Sequence, residues 1–140
     1  MEQANATFQL VEYRFPTFTF NSTASTTVEN KKNSLRLGLS ANGDYVPVLH
    51  LFTVRIDLQL SSNEESVIQL RCEATFRFTS ETAELPEYFY ANSIAIVYPY
   101  IRAFCSLITT QSNNMPIILP VLNLTKLGEE LKQNTTILER

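Results

Sequence analysis

Three kinds of chemistry could be built from the reactive side chains of this chain. A Cys–His pair would make a thiolate nucleophile, closely spaced histidines and acids would hold a metal, and paired carboxylates would run general acid–base chemistry. The chain has one histidine, His50, which excludes an HExxH helix and every multi-histidine metal site. Cys72 and Cys105 are far apart in sequence, with no CxxC and no neighbouring histidine. They read as reduced, buried, small apolar residues. His50 falls in the apolar register of a strand-like run, where a hydrogen-bonded core or groove histidine is the expected role. Glu64-Glu65 and Glu129-Glu130 are adjacent acids in polar segments and read as solvated charge. Gly38, Gly43 and Gly128 are the only glycines, too scattered to cradle a phosphate. No catalysis, cofactor or metal is expected, so the question becomes what the apolar residues do.

At 140 residues the chain is expected to form a single domain, 1–140, large enough to build a core without disulfides or metals. With 44% hydrophobic and 18% charged residues it is not a mainly disordered chain. A net charge of −3 gives no global basic field, so nucleic acid is not an expected partner. Residues 1–5 carry no positive segment with an apolar run behind it, so a cytoplasmic location is expected.

The first half alternates with period two. From Val48 to Ser61 the even positions (Val48, His50, Phe52, Val54, Ile56, Leu58, Leu60) are apolar or His50, and Arg55 and Asp57 lie on the other face. Leu49 and Leu51 predict cover on both sides at that start. From Val67 to Thr79, Ile68 to Phe78 face in, while Arg71, Glu73 and Arg77 face out. The short polar connector 62–65 makes these two strands an antiparallel hairpin. Two weaker strands precede it. One runs through Leu35, Leu37 and Leu39 and ends in a turn at Ala41-Asn42-Gly43-Asp44. The other is the aromatic run Phe8 to Phe20, placed at a sheet edge or bulged because Pro16 cannot donate to a ladder. Residues 21–33 are polar and aperiodic and read as a mobile loop.

The second half changes period. Ile94 to Ile108 is apolar nearly all round, with Arg102 its only charge. Its length, Pro99 and Arg102 argue against a membrane span, and Pro99 is expected in the first turn or at a kink. Such a helix must be covered nearly all round, either by a tightly wrapped monomer core or, since one chain offers little material, by another subunit. Ile94, Val97, Ile101, Phe104 and Ile108 are therefore the expected oligomer interface. An apolar loop bracketed by Pro116 and Pro120 follows, over 113–122, a candidate contact surface or lid. A last helix is expected from Thr125, as its cap, to about Leu138, with Glu129 and Glu130 near its first turn.

The order of four strands, long helix, loop and helix, with Tyr98-Pro99-Tyr100-Ile101-Arg102 in the long helix, resembles the SecB protein-export chaperones. Met115-Pro116 and Pro120-Val121, followed by Asn123, Leu124 and Leu127, resemble the family's later motifs. The resemblance covers 8–138 in topology, with its specific motifs in 98–131. It departs where Ser93-Ile94 replace a Cys-Pro pair.

That resemblance implies an α+β, SecB-like fold and an ATP-independent holdase that serves protein export and assembles as a homotetramer, a dimer of dimers. It implies that unfolded or partly folded client polypeptides bind an apolar groove of Phe18, Phe20, Leu122, Leu124, Leu127 and Leu131. The family engages the SecA motor through an acidic sheet face. Here Arg55, Arg71 and Arg77 flank Asp57 and Glu73, and alternating signs attract a cationic surface weakly, so SecA stays an open partner. Two other readings stay open: a dedicated chaperone or adaptor for one client such as an antitoxin, and a small hydrophobic-ligand binder or thioesterase-like enzyme.

Overall fold

The computed structural model describes residues 6–21, 35–80 and 85–138. The segment 21–33, expected to be a mobile loop, lies almost wholly outside them. The chain runs β1 (Ala6–Phe20), β2 (Leu35–Val46), a single 3-10 turn (Pro47–Leu49), β3 (Leu51–Ser62), β4 (Glu65–Ser80), α1 (Phe89–Gln111), α2 (Thr125–Gln133) and β5 (Thr135–Ile137). The strands form one sheet in the order β1-β4-β3-β2-β5, antiparallel except where β5 joins β2. Both helices cover one face, and the other face carries the charges.

β3 and β4 are the expected hairpin, in one register from Leu51↔Arg77 to Leu60↔Ile68, with a one-residue slip at Val67 before Ser61↔Ser66 and Ser62↔Glu65. Phe52, Val54, Ile56, Leu58 and Leu60 are buried, as are Ile68, Leu70, Cys72, Ala74, Phe76 and Phe78. The turn is only Asn63-Glu64, both left-handed at φ 51° and 68°, as a type I′ hairpin requires.

β1 is both an edge strand and a bulged one. Its register to β4 slips at Leu10/Glu12 and again at Arg14/Thr17, across Pro16. Each extra residue flips the side-chain phase. Tyr13 thus pairs with the buried Ala74, and Phe18 with the buried Leu70, so both share the helix side with Phe8. Two phase flips explain why this strand shows no simple alternation in sequence.

The expected turn at 41–44 is not there, because β2 continues to Val46. A Cβ on Gly43 would lie 2.6 Å from the Thr53 carbonyl oxygen and 2.7 Å from Phe52 Cε1. The glycine permits a close approach inside the sheet rather than a turn. The chain reverses instead at Pro47–His50, where His50 is left-handed (φ 56°). His50 is exposed there, as are Val48 and Leu49, so the expected strand start, His50 on an apolar face and the double cover are all corrected.

α1 is longer than expected, and Pro99 sits in its exposed interior rather than in the first turn. Its 23 residues are long and apolar enough to cross a membrane by length and composition. Here, however, Ile94, Val97, Tyr98, Ile101 and Cys105 are buried within the protein. Phe89 closes the core, with its ring 4.8 Å from both Phe8 and Phe52. Burying such a ring contributes about 2–3 kcal/mol.

α2 stops at Gln133, short of the expected end. The β-branched Thr135-Thr136-Ile137 then forms β5 against Gly43–Tyr45 of β2. Thr125 does not cap α2. Its N–H donates to Asn123 Oδ1 (3.0 Å), and Leu124 occupies the cap position. Neither Glu129 nor Glu130 lies in the first turn, and Glu130 Oε2 instead accepts the Ala41 N–H at 3.0 Å.

Candidate binding surface

The segment after α1 is a strap held by side chains of α1. Thr109 Oγ1 accepts the Ile117 N–H (3.0 Å), Arg102 Nε donates to the Leu119 carbonyl (3.0 Å), and Tyr98 Oη donates to the Pro120 carbonyl (2.8 Å). Leu119 is buried and anchors the strap between the polar ties. Met115, Ile118 and Val121 point outward, 67%, 71% and 83% exposed. Their spacing of three is that of one face of a polyproline-II segment, which Pro116 and Pro120 favour.

The outer face of α1 presents Ile96, Tyr100, Ala103 and Leu107, all exposed. Their 4-3-4 spacing is that of a coiled-coil seam. Tyr100 stacks on Tyr13 with ring centres 4.5 Å apart, so this stripe borders the aromatic edge of β1. Beside it Phe104 stacks on Phe15 at 4.0 Å and meets Phe18 edge-on at 4.9 Å.

The opposite face of the sheet pairs its charges with one another. Arg14, Glu73, Arg55 and Asn42 stand in one cross-strand row over four strands. Arg14 Nη2 lies 2.7 Å from Glu73 Oε1, and Arg55 reaches Glu73, Asp44 and Asn42. Arg71 holds Asp57 with two hydrogen bonds, 2.8 and 3.1 Å. A shallow trough of about 600 Å³ lies beside this row, between Thr17, Gly38, Asp57 and Gln69.

The six expected groove residues are not brought together. Phe18 is exposed on β1, at one sheet edge, while α2 lies toward the other edge, where Glu130 bonds β2. Phe20, Leu122 and Leu124 are half-buried against the core. Leu127 is buried, and Leu131 is 0% exposed, lying over the space that Gly43 leaves. Leu127 and Leu131 close the core and are not free to meet a client. The residues of the expected oligomer face divide between the core and the surface. Ile94, Val97 and Ile101 are fully buried within the single chain, and Phe104 and Ile108 pack partly against its core. The face of α1 that the chain leaves open is Ile96, Tyr100, Ala103 and Leu107, whose heptad spacing was readable in the sequence. The outward strap residues lie in the loop expected to be a contact surface.

Both thiols are free and buried, and desolvation pushes each up to about 12. They are inert as nucleophiles at neutral pH. His50 accepts the Phe78 N–H through its carbonyl, and Phe78 is six residues along β4 from Cys72, about 20 Å. No Cys72–His50 pair exists. Among the described residues no cluster of His, Cys, Asp or Glu could hold a metal.

One antiparallel sheet of four long strands, a long helix across one face, a strap and a short second helix define a SecB-like fold. The SecB-like chaperone Rv1957 of Mycobacterium tuberculosis, solved with a ChAD peptide from the HigA1 antitoxin, matches with a TM-score of 0.54, 20% sequence identity, and coverage of 85% of this chain and 91% of that one. A Streptococcus agalactiae protein of unknown function matches with a TM-score of 0.47 and 12% identity, covering 84% of this chain and all of that one. An uncharacterized protein of Methanocaldococcus jannaschii is 44% identical over 48 residues, spanning 32% of this chain and 31% of that protein. No protein-family model matches the chain.

Proposed function

We propose that this chain is an ATP-independent chaperone that holds unfolded or partly folded polypeptide segments on apolar surface. The observation that carries the reading is the strap: Met115, Ile118 and Val121 stay exposed on a segment tied to α1 from the inside. Contiguous exposed apolar residues mark contact surfaces, and a Met-bearing one adapts to varied partners. A surface that binds the unfolded state and not the native one keeps a client unfolded by mass action. The M. tuberculosis chaperone is in complex with an antitoxin peptide, which supports peptide as the ligand class and a dedicated client as its narrower form.

The chain is further proposed to self-associate through Ile96, Tyr100, Ala103 and Leu107, as a dimer of dimers. Export through SecA is the weaker part of the proposal, because the outer face pairs its own charges. A small hydrophobic ligand would need an enclosed apolar pocket. The trough at Thr17, Gly38, Asp57 and Gln69 is open to solvent rather than enclosed.

The test is a fluorescence-anisotropy titration of a labelled, permanently unfolded polypeptide without nucleotide. Micromolar or tighter binding is expected, weakened tenfold or more by Ile118→Asp with Val121→Asp. Surface changes of this kind move stability by only about 0.5 kcal/mol. Unchanged capture by that double variant would overturn the strap as the binding surface.

A further inference from the structure

The two edges of the sheet are treated differently. On β2, the odd residues turn their backbone groups outward, and the last of these are covered by the chain itself. Glu130 Oε2 accepts the Ala41 N–H (3.0 Å), Asn134 Nδ2 donates to the Ala41 carbonyl (3.2 Å), and the Gly43 N–H donates to the Asn134 carbonyl (3.2 Å). β5 then runs parallel along Gly43–Tyr45, and the Leu138 N–H closes on the Tyr45 carbonyl at 2.8 Å. The same alternation turns the N–H and C=O groups of Leu37 and Leu39 outward, where they have no hydrogen-bond partner among the described residues. Their side chains point to the helix side and are only half-buried, and Leu35 is exposed. Between them Gly38 presents no side chain, and a Cβ there would meet only the Gln59 carbonyl oxygen at 3.8 Å.

We infer that Leu35–Leu39 of β2 binds an extended client segment by strand addition, continuing the edge that β5 already occupies. An unpaired strand edge is a template for another backbone. Main-chain hydrogen bonds supply affinity without sequence preference. The half-buried leucines reward apolar residues at alternate client positions, and the bare Gly38 leaves the outer side open. β5 shows that this edge takes an extended strand, in parallel, and its three residues leave the Leu35–Leu39 end clear. The inference rests on the client-binding reading and assigns it a second, backbone-reading contact.

The experiment is amide hydrogen exchange on the full chain with and without a synthetic peptide of repeated Val-Thr-Val-Lys. Exchange at Leu37 and Leu39 is expected to slow at least tenfold with the peptide, while that of buried β3 residues such as Ile56 stays unchanged. Leu37→Pro, which removes one outward N–H and suits an edge position, is expected to weaken the peptide about tenfold. Peptide binding that perturbs only Met115–Val121 would overturn the edge inference and leave the client-binding reading standing. Failure to bind this peptide and every unfolded polypeptide would overturn both. Protection already present without peptide, and rising with protein concentration, would give the edge to a second copy and overturn the inference.

Discussion

Releasing the strap from α1 should be measurable as a local event. Tyr98→Phe removes the hydroxyl that donates to the Pro120 carbonyl, and Arg102→Met removes the Nε donor to the Leu119 carbonyl while keeping an apolar stem. A neutral hydrogen bond of this kind contributes about 1 kcal/mol and a charged one about 1.5 kcal/mol. Burial of Leu119 contributes about 2 kcal/mol and survives both changes. The double variant should therefore make local opening about 2.5 kcal/mol easier, roughly sixtyfold in the open population. The reporter is the Ile117 amide, bonded to Thr109 Oγ1 at 3.0 Å, whose hydrogen-exchange rate should rise by that factor. The ties are one helical turn apart, so single variants are needed to separate their coupling. Ile117 exchange within threefold of the parent would refute the strap account. An equal rise at the buried Ile56 amide would refute it differently, by making the opening global.

Four further outcomes are expected. Leu131→Glu puts a charge in a fully closed site and should cost more than about 4 kcal/mol in urea unfolding; a variant as stable as the parent would return Leu131 to a client groove. Glu64→Gly relieves a left-handed φ of 68° and should add about 1 kcal/mol, raising Tm by about 3–5 °C, with no change as the contrary result. A Cβ on Gly128 would lie 2.8–3.0 Å from Ala91, so Gly128→Ala should force α2 from α1 and cost about 1–3 kcal/mol in a thermal melt, whereas a neutral effect would deny that contact. The raised thiol pKa values of Cys72 and Cys105 make the unfolded state release protons first, so their contribution to stability is intact below pH 9 and is lost between 9 and about 12. Urea unfolding across that range would show the decline, and iodoacetamide labelling of the native chain at pH 8 would contradict burial.

The hairpin of β3 and β4 was legible because both strands bury one face and wet the other, which leaves a clean period of two. The order of strands, helix, loop and helix was legible from the change of period, and its resemblance to SecB rested on that order and the proline motifs at Pro99, Pro116 and Pro120. The failures share a cause, since a local signal has more than one use. Asn42-Gly43 is strong turn chemistry, yet Gly43 serves a close approach to Phe52 and Thr53 that only pairing with β3 creates. Thr125 is a good cap by type, but Asn123 takes that contact two residues earlier. β5 has three residues and its pairing partner is the β2 edge, a long-range contact that its own sequence does not signal. The apolar residues of α1 were read correctly as more than one face, but sequence alone does not say which face the chain covers itself. The strap was visible as an apolar loop between prolines, whereas its ties to Tyr98, Arg102 and Thr109 are long-range contacts that no local pattern encodes.

The central claim is that this fold holds unfolded chains without nucleotide or catalysis. Light scattering of a thermally unfolding, aggregation-prone protein, titrated with this chain and no ATP, tests it most directly. The account predicts suppression that saturates at a fixed ratio of chains to client and is lost with Ile118→Asp and Val121→Asp. Undiminished aggregation of several unrelated clients at saturating concentrations of the chain would contradict it.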